Sequence, residues 1–159
     1  MERRLNFGWR GQRVPVVLQA EGAECGLACL AMVAAAHGHQ TDLTALRQRF
    51  PLSLKGVTLV DLVRMAEAMS LQSRALRAEP ADLPALVLPC ILHWDMNHFV
   101  VLRRVGARRI TVHDPAYGVR QLSWAEASRH FTGVALELSP MPSFERSEAK
   151  PAVGLGQLV

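Results

Sequence analysis

The sequence predicts an α+β domain, in which helices come first along the chain and an antiparallel sheet follows. Two observations carry that prediction. Up to Ala66, apolar residues recur at helical spacing, and from Cys90 onward short β-branched or aromatic runs alternate with turn signals. The chain has 159 residues, half of them hydrophobic, which is enough for one domain with a substantial core.

The stretch 19–36 contains the helix around which the rest of the chain is organised. Apolar residues repeat there at i, i+3, i+4, i+7 and i+8, which predicts a helix with one face built for burial; they are Leu27, Leu30, Ala31, Ala34 and Ala35. Gly26 permits close approach of another element, and His37-Gly38 provides a helix end with a glycine cap. Cys25 is therefore expected at the helix N-terminus, where unpaired N–H groups and the helix dipole favour a thiolate.

Three further helices are predicted, each from a local signal. Residues 42–50 form a short second helix with an apolar face. Thr58 and Asp61 have the spacing of a capping box and open a third helix, and Ser123 and Glu126 repeat that pattern for a short helix near the end of the sheet.

The strands are predicted from short runs bounded by turn residues. These runs are 72–77, 90–94, 99–105, 109–113, 119–122 and 134–138, with a helical turn within 80–89. Short turns such as 115–118 separate the four middle runs, which predicts an antiparallel meander in which sequential strands pair. A further β-prone run, 14–18, would deliver Gln19 to the start of the Cys25 helix.

Composition sets the domain limits and argues against a signal peptide and a membrane-spanning helix. Residues 1–13 are basic and without periodicity, and after Ser139 the chain turns to Pro, Ser, Glu and Lys. We therefore expect an N-terminal arm at 1–13, a folded domain at 14–140 and a linker at 141–159. The N-terminus lacks the apolar core of a signal peptide, and the longest apolar run is about half the ~20 residues that a membrane-spanning helix needs.

Cysteine count and charge indicate the compartment and the partners. Three cysteines at irregular spacing suggest free thiols in a reducing cytosol. The net charge of +4 comes from 18 basic residues scattered among 14 acidic ones, without a basic stripe that carries aromatic residues. Nucleic acid is therefore not an expected partner.

The residue types needed for a cysteine nucleophile occur at separated points in the sequence. Such a nucleophile needs a nearby base, usually histidine, and a group that orients the imidazole. His98 opens one predicted strand and Asp114 ends the next, so the hairpin could bring the two side chains together. His113 should point to the opposite face of its strand and is a poor competitor for the same role.

Simpler interpretations remain open at this point. Cys25 could be a buried structural cysteine, His98 a structural histidine, and Asp114 a turn former before proline. A mixed zinc site made from Cys25 and Cys29, with His93 or His98, is another alternative, although the two cysteines lie on one helix with no second matching pair.

Three motifs occur in order along the chain. They are Gln19 with Cys25-Gly26-x-Ala28-Cys29-Leu30, then Asn97-His98-Phe99-Val100-Val101-Leu102, and then Asp114-Pro115-Ala116-x-Gly118. Together they resemble the motifs of the bacteriocin-processing cysteine peptidases, the double-glycine leader peptidases that form the N-terminal domain of peptidase-containing ABC exporters. The likeness runs from about residue 14 to residue 140. The segments 91–98 and 131–138 resemble the colicin V type of exporter in particular.

The resemblance implies a papain-like fold and gives four residues a role. Cys25 matches the nucleophile, His98 the general base and acid, and Asp114 the carboxylate that orients His98. Gln19 matches the side-chain donor of an oxyanion hole, which it would share with the Cys25 backbone N–H. No cofactor and no metal ligand is assigned among these residues. Glu24 stands where the family often has Asp, and little consequence is expected from that difference.

The resemblance also implies a substrate, partners and a location. The substrate would be a precursor peptide with an amphipathic helical leader that ends in Gly-Gly. The partners would be the transmembrane and ATPase domains of an ABC exporter in the same full-length chain, and the location would be the cytoplasmic side of the bacterial inner membrane. Trp94 and Met96 are candidates for the wall or rim of a narrow cleft, although core packing is the favoured interpretation of each. A non-cleaving, cargo-docking domain and a papain-like acyl transferase remain as alternatives.

Overall fold

The computed structural model describes residues 13–146 of the chain. The residues before and after this range, which hold most of the predicted arm and linker, lie outside it. Within the described part there are four α-helices: α1 (Cys25–Ala36), α2 (Leu43–Arg49), α3 (Leu59–Ala68) and α4 (Trp124–His130). The strands are β1 (Leu71–Arg77), β2 (Cys90–Trp94), β3 (His98–Val105), β4 (Arg109–Asp114), β5 (Gly118–Ser123) and β6 (Phe131–Pro140).

Short polar sequences set the helix ends, as expected. The Asp42 side chain caps α2, and capping boxes built on Thr58 and Ser123 open α3 and α4. Gly38 follows α1 with φ of +102°, a left-handed conformation that suits glycine. Short 3-10 helices at Gly22–Glu24 and Pro80–Ala85 complete the elements.

The six strands form one antiparallel sheet in the order β1-β6-β2-β3-β4-β5. The four middle strands pair sequentially, so the predicted meander is confirmed. The last strand enters between β1 and β2 rather than at an edge, which the local sequence signals did not indicate. The predicted α+β class, with N-terminal helices packed on an antiparallel sheet, is confirmed.

Helix α1 is buried on every side rather than on one face as predicted. All twelve of its residues are buried. The helix packs on β3, and α2 and α3 cover its other faces, so small residues such as Ala28 and Ala31 are enclosed as well as the larger ones. Burial all round makes α1 a rigid support for its first residue, Cys25.

Both faces of the sheet are covered, and alternate strand residues enter two separate cores. Ile91, Phe99 and Val101 join the core around α1. Leu92 and Val100 join a second core on the opposite face, together with α4 and the Pro80–Ala85 turn. Because both faces of β2 and β3 are buried, the sequences of these strands are nearly continuous apolar runs.

The segments that flank the domain make specific contacts. Residues 14–18, predicted as β-prone, lie outside regular secondary structure. Two hydrogen bonds nevertheless hold this segment. The His113 imidazole donates to the Pro15 carbonyl at 3.0 Å, and the Gln19 backbone N–H donates to the Pro115 carbonyl at 2.9 Å. Beyond β6, Phe144 is buried in the core around α1. The division into arm, domain and linker stays a prediction.

Across residues 13–146, no helix combines the length and the apolar character needed to cross a membrane.

Candidate active site

Cys25 is the first residue of α1, so its position follows from the packing of that helix. Its side chain is buried, and the Gly22–Glu24 turn leads directly into it. The next residue, Gly26, allows α3 to approach: a Cβ there would lie 2.9 Å from Leu62 Cδ2. The sequence therefore fixes the thiol at the helix N-terminus, where backbone N–H groups favour negative charge.

His98 and Asp114 come from neighbouring strand ends, as predicted. His98 begins β3 and Asp114 ends β4, and the antiparallel register of these strands brings the two ends together. The His98 Nε2–H donates to Asp114 Oδ1 at 2.7 Å. The imidazole is therefore oriented by the carboxylate, and its Nδ1 is left as the ring nitrogen that can serve a nucleophile.

Asp114 is held as a buried anion. The Ala116 backbone N–H donates to Oδ1 at 2.9 Å, and Arg120 Nη1 lies 3.6 Å from Oδ2. Burial alone would raise the pKa of this carboxyl, but the hydrogen bonds from His98 and Ala116 and the nearby positive charges outweigh it and lower the pKa. Asp114 is thus ionised throughout the neutral range.

His98 is correspondingly stabilised as an imidazolium. Burial disfavours its charged form, yet hydrogen bonds and charge interactions with Asp114 and Cys25 prevail and raise the pKa of His98 from 6.5 to about 9. The structure thus brings Cys25, His98 and Asp114 into one interacting unit. A thiol beside an imidazolium is the arrangement that activates cysteine as a nucleophile.

Gln19 reaches the same region on the segment that precedes α1. Its amide Nε2 donates one hydrogen to the Glu21 carbonyl at 3.1 Å and retains a second hydrogen. Its Oε1 is buried and has no hydrogen-bond partner within residues 13–146. The backbone bond from Gln19 to Pro115 joins this segment to the turn that follows Asp114.

A cleft of about 620 Å³ opens beside Cys25. Its walls are the Gly22–Glu24 turn, the loop before α3, and the β2–β3 hairpin end; they include Glu21, Gly22, Ala23, Leu54, Lys55, Gly56, Val57, Thr58, Leu59, His93, Met96, Asn97 and Phe99. Met96 is 78 % exposed at this cleft. Trp94, by contrast, is fully buried and stacks on His130, so of these two residues it is Met96 that lies at the cleft.

The remaining cysteines lie in the core. Cys29 and Cys90 are fully buried, and burial raises the pKa of each thiol, which keeps both protonated. Among residues 13–146, no three His, Cys, Asp or Glu side chains are grouped so that they could hold a metal ion.

The other histidines have identifiable structural contacts. His113 donates a hydrogen bond to the Pro15 carbonyl, which agrees with the prediction that it points to the opposite strand face from Asp114. His130 ends α4 and bonds Asp95 at 2.7 Å. His37 and His39 are half-buried beside the segment that follows β6: burial and Arg146 lower the pKa of His37, and His39 makes an edge contact with Phe144.

Sequence reasoning missed one pair of residues beside the site. Glu24, which stands where the family often has Asp, is buried and forms an ion pair with Arg47 of α2. An acidic residue directly before Cys25 was the available signal, but its partner 23 positions away was not evident from the sequence.

Comparison with known proteins identifies relatives along nearly the whole chain. The profile described as the Peptidase C39 family matches residues 13–143. The colicin V secretion/processing ATP-binding protein CvaB of Escherichia coli is 46 % identical over 155 residues, or 98 % of this chain and 22 % of the relative. The transport/processing ATP-binding protein ComA of Streptococcus pneumoniae is 30 % identical over 149 residues; the match covers 89 % of this chain and 20 % of the relative. The chain therefore spans about a fifth of the length of these relatives.

Solved structures give the same result. A double glycine motif protease from an AMS/PCAT transporter, crystallised with the leader peptide, superimposes with a TM-score of 0.77 at 35 % identity, covering 82 % of this chain and 94 % of that one. The peptidase domain of Streptococcus ComA gives a TM-score of 0.74 at 25 % identity, covering 81 % of this chain and all of that one. The resemblance noted from the sequence is confirmed: the chain belongs to the Peptidase C39 family of cysteine peptidases.

Proposed function

We propose that this chain is a cysteine endopeptidase that removes the leader from a precursor peptide by cutting after a Gly-Gly type motif. One observation carries the proposal: His98, oriented by Asp114, interacts with a thiol at a helix N-terminus that opens onto a cleft. The double glycine motif protease among its structural relatives supports the substrate class.

In this mechanism Cys25 is the nucleophile. Its thiolate attacks the carbonyl carbon of the residue before the scissile bond, and the C–S bond forms as the carbonyl oxygen becomes an oxyanion. The Cys25 backbone N–H and the free hydrogen of the Gln19 amide stabilise that oxyanion, each donor contributing about 10²–10³ in rate.

His98 supplies and removes the protons. The imidazolium donates its proton to the leaving amine as the C–N bond breaks, which leaves a thioester on Cys25. Neutral His98 then takes a proton from water as the hydroxyl adds to the thioester, and the C–S bond breaks to release the leader with a free carboxyl terminus. Asp114 keeps the imidazole aligned through both steps.

Specificity for glycine is proposed to arise from exclusion. The cleft beside Cys25 is bordered by the Gly22–Glu24 turn and by the hairpin end that carries Met96, so side chains near the scissile bond meet protein on two sides. A slot of this kind selects glycine by rejecting larger residues rather than by attracting it. The remainder of the leader, an amphipathic helix, is expected to dock on an apolar surface.

The relatives suggest the setting in which this reaction occurs. Curated relatives that share 98 % and 89 % of this chain are secretion or transport proteins with an ATP-binding function. We therefore extend the proposal to a peptidase domain of an ABC exporter, joined to transmembrane and ATPase domains and located on the cytoplasmic side of the bacterial inner membrane.

Synthetic precursors with Gly, Ala or Val at each position of the Gly-Gly pair test the proposal. A methyl group forced into a close-packed slot costs about 1–3 kcal/mol, so we expect Ala to lower kcat/KM roughly tenfold to a hundredfold. Val should give no detectable product. Mass spectrometry of the products should place the cut directly after the second glycine.

Two results would contradict the proposal. If Ala before the cut is processed as fast as Gly, exclusion is not the basis of specificity. If a short peptide without the leader helix is cut as well as the full precursor, the enzyme is a general endopeptidase.

A further inference from the structure

The segment between Gln19 and Cys25 is held by one buried carboxylate. Glu24 precedes the thiol directly and is only 4 % exposed. Its Oε1 accepts hydrogen bonds from the backbone N–H of Ala20 at 2.9 Å and of Glu21 at 3.0 Å. These bonds tie both residues that follow Gln19 to the residue that precedes Cys25.

A salt bridge from another helix fixes the carboxylate itself. The Arg47 guanidinium on α2 donates through Nε to Oε2 and through Nη2 to Oε1, the second bond being 3.1 Å long. This two-pronged contact holds Glu24 in one orientation and balances a negative charge beside the thiol. The Arg47 bond is the largest cause that lowers the pKa of Glu24 to about 2, so the carboxylate is ionised at neutral pH.

The same network continues to the Gln19 side chain. The Glu21 carbonyl accepts the Gln19 Nε2–H at 3.1 Å, while the Glu21 amide is bound to Glu24. A continuous chain of hydrogen bonds therefore runs from Arg47 through Glu24 and Glu21 to the Gln19 amide. The Gln19 side chain is thereby linked to the residue that directly precedes Cys25.

We infer that Glu24, locked by Arg47, is the positioning residue of the oxyanion hole: it sets the Gln19 amide relative to Cys25 without touching the substrate. The inference rests on the proposed role of Gln19. It predicts that loss of Glu24 impairs the steps that develop an oxyanion and spares those that do not, because the thiol, His98 and Asp114 are held by other contacts.

Kinetics of four variants of the 159-residue chain test this inference. Gln19→Ala should lower kcat about 10²–10³-fold. Glu24→Ala should lower kcat up to about 10²-fold, since a misplacement of about 1 Å can have that effect, with KM within about twofold of the wild type. The double variant Gln19→Ala/Glu24→Ala should be no slower than Gln19→Ala, because both changes remove the same contribution. Arg47→Gln, which loosens the carboxylate from the other side, should show the Glu24→Ala pattern at about a tenfold loss and serves if Glu24→Ala folds poorly.

A second readout separates positioning from general damage. Alkylation of Cys25 by iodoacetamide occurs at a saturated carbon and forms no oxyanion, so its rate should stay at the wild-type value in all four variants. Glu137 on β6 offers a matched control. It is also buried, accepts a hydrogen bond from the Val87 backbone N–H at 2.7 Å, and lies 3.7 Å from Arg74. Glu137→Gln should leave kcat unchanged.

The outcomes distinguish the inference from the function on which it rests. If Gln19→Ala cleaves normally, the proposed oxyanion role of Gln19 is wrong. If Gln19→Ala is slow but Glu24→Ala and Arg47→Gln cleave normally, or if the losses of the double variant multiply, Glu24 does not act through Gln19 and the inference is overturned. Equal losses of cleavage and alkylation in Glu24→Ala would also overturn it, because the residue would then support the fold of the whole site.

Discussion

The two parts of the candidate site are held by different kinds of structure. His98 and Asp114 lie on paired strands, where the backbone ladder of β3 and β4 determines their distance. Gln19 and Cys25 are joined by a short irregular segment, which side-chain contacts from Glu24 and Arg47 hold in place. The first part should therefore tolerate changes in neighbouring side chains, whereas the second should depend on a few polar contacts.

The largest expected effect tests whether the two parts act as one unit. Cys25→Ala and His98→Ala should each reduce cleavage by at least about 10⁴-fold and to a similar level, because removing either member of a nucleophile–base pair disables both. The measurement is single-turnover cleavage of a full precursor, with leader affinity followed separately by fluorescence anisotropy.

The buried thiols supply the control for that experiment. Cys29→Ala and Cys90→Ala should retain cleavage, since both thiols are enclosed in the core. If Cys29→Ala loses cleavage while Cys25→Ala retains it, the nucleophile has been assigned to the wrong residue.

A smaller effect is expected when only the orientation of the imidazole is disturbed. Asp114→Asn should lower kcat by more than about tenfold but by less than His98→Ala, because the base is still present.

The raised pKa of His98 also sets the alkaline limit of activity: kcat/KM should fall as the pH rises through about 9, where the imidazolium is lost. In Asp114→Asn the carboxylate that raises this pKa is gone, so the alkaline limb of the pH profile of kcat/KM should move to lower pH. An unmoved limb would show that another group controls it.

The smallest effect concerns stability at the start of α1. Gly26→Ala places a methyl group 2.9 Å from Leu62 and should lower the free energy of unfolding by about 1–3 kcal/mol. Gly22→Ala is the control, because nothing lies within 4 Å of its added Cβ, and its stability should change by less than about 1 kcal/mol. Urea denaturation followed by circular dichroism measures both; equal stabilities would mean that close approach of α3 does not require Gly26.

The strand contacts of the site were predictable from sequence, and the salt bridge that holds its loop part was not. Turn signals and β-prone runs are local, so they indicated the β3–β4 hairpin and the meeting of His98 with Asp114. The salt bridge between Glu24 and Arg47 joins residues 23 positions apart, and no local pattern encodes it. The insertion of β6 between β1 and β2 escaped prediction for the same reason.

Two other differences have local physical causes. Core packing was the favoured interpretation of Met96, but Asp95 and Met96 adopt left-handed φ values of 48° and 69°, and that turn places Met96 at the cleft. Helix α1 was expected to bury one face, yet its small residues allow other elements to pack on every side. Composition indicated that α1 is apolar but not how many neighbours it has.

A titration of the His98 imidazole by NMR tests the central claim most directly, because the claim is that thiol, imidazole and carboxylate interact as one unit. We predict a pKa of about 9 in the wild-type chain, and a lower value both in Cys25→Ala and in Asp114→Asn, since each variant removes one of the groups that raise it. A pKa near the ordinary value of 6.5 in the wild type, unchanged in both variants, would contradict the account.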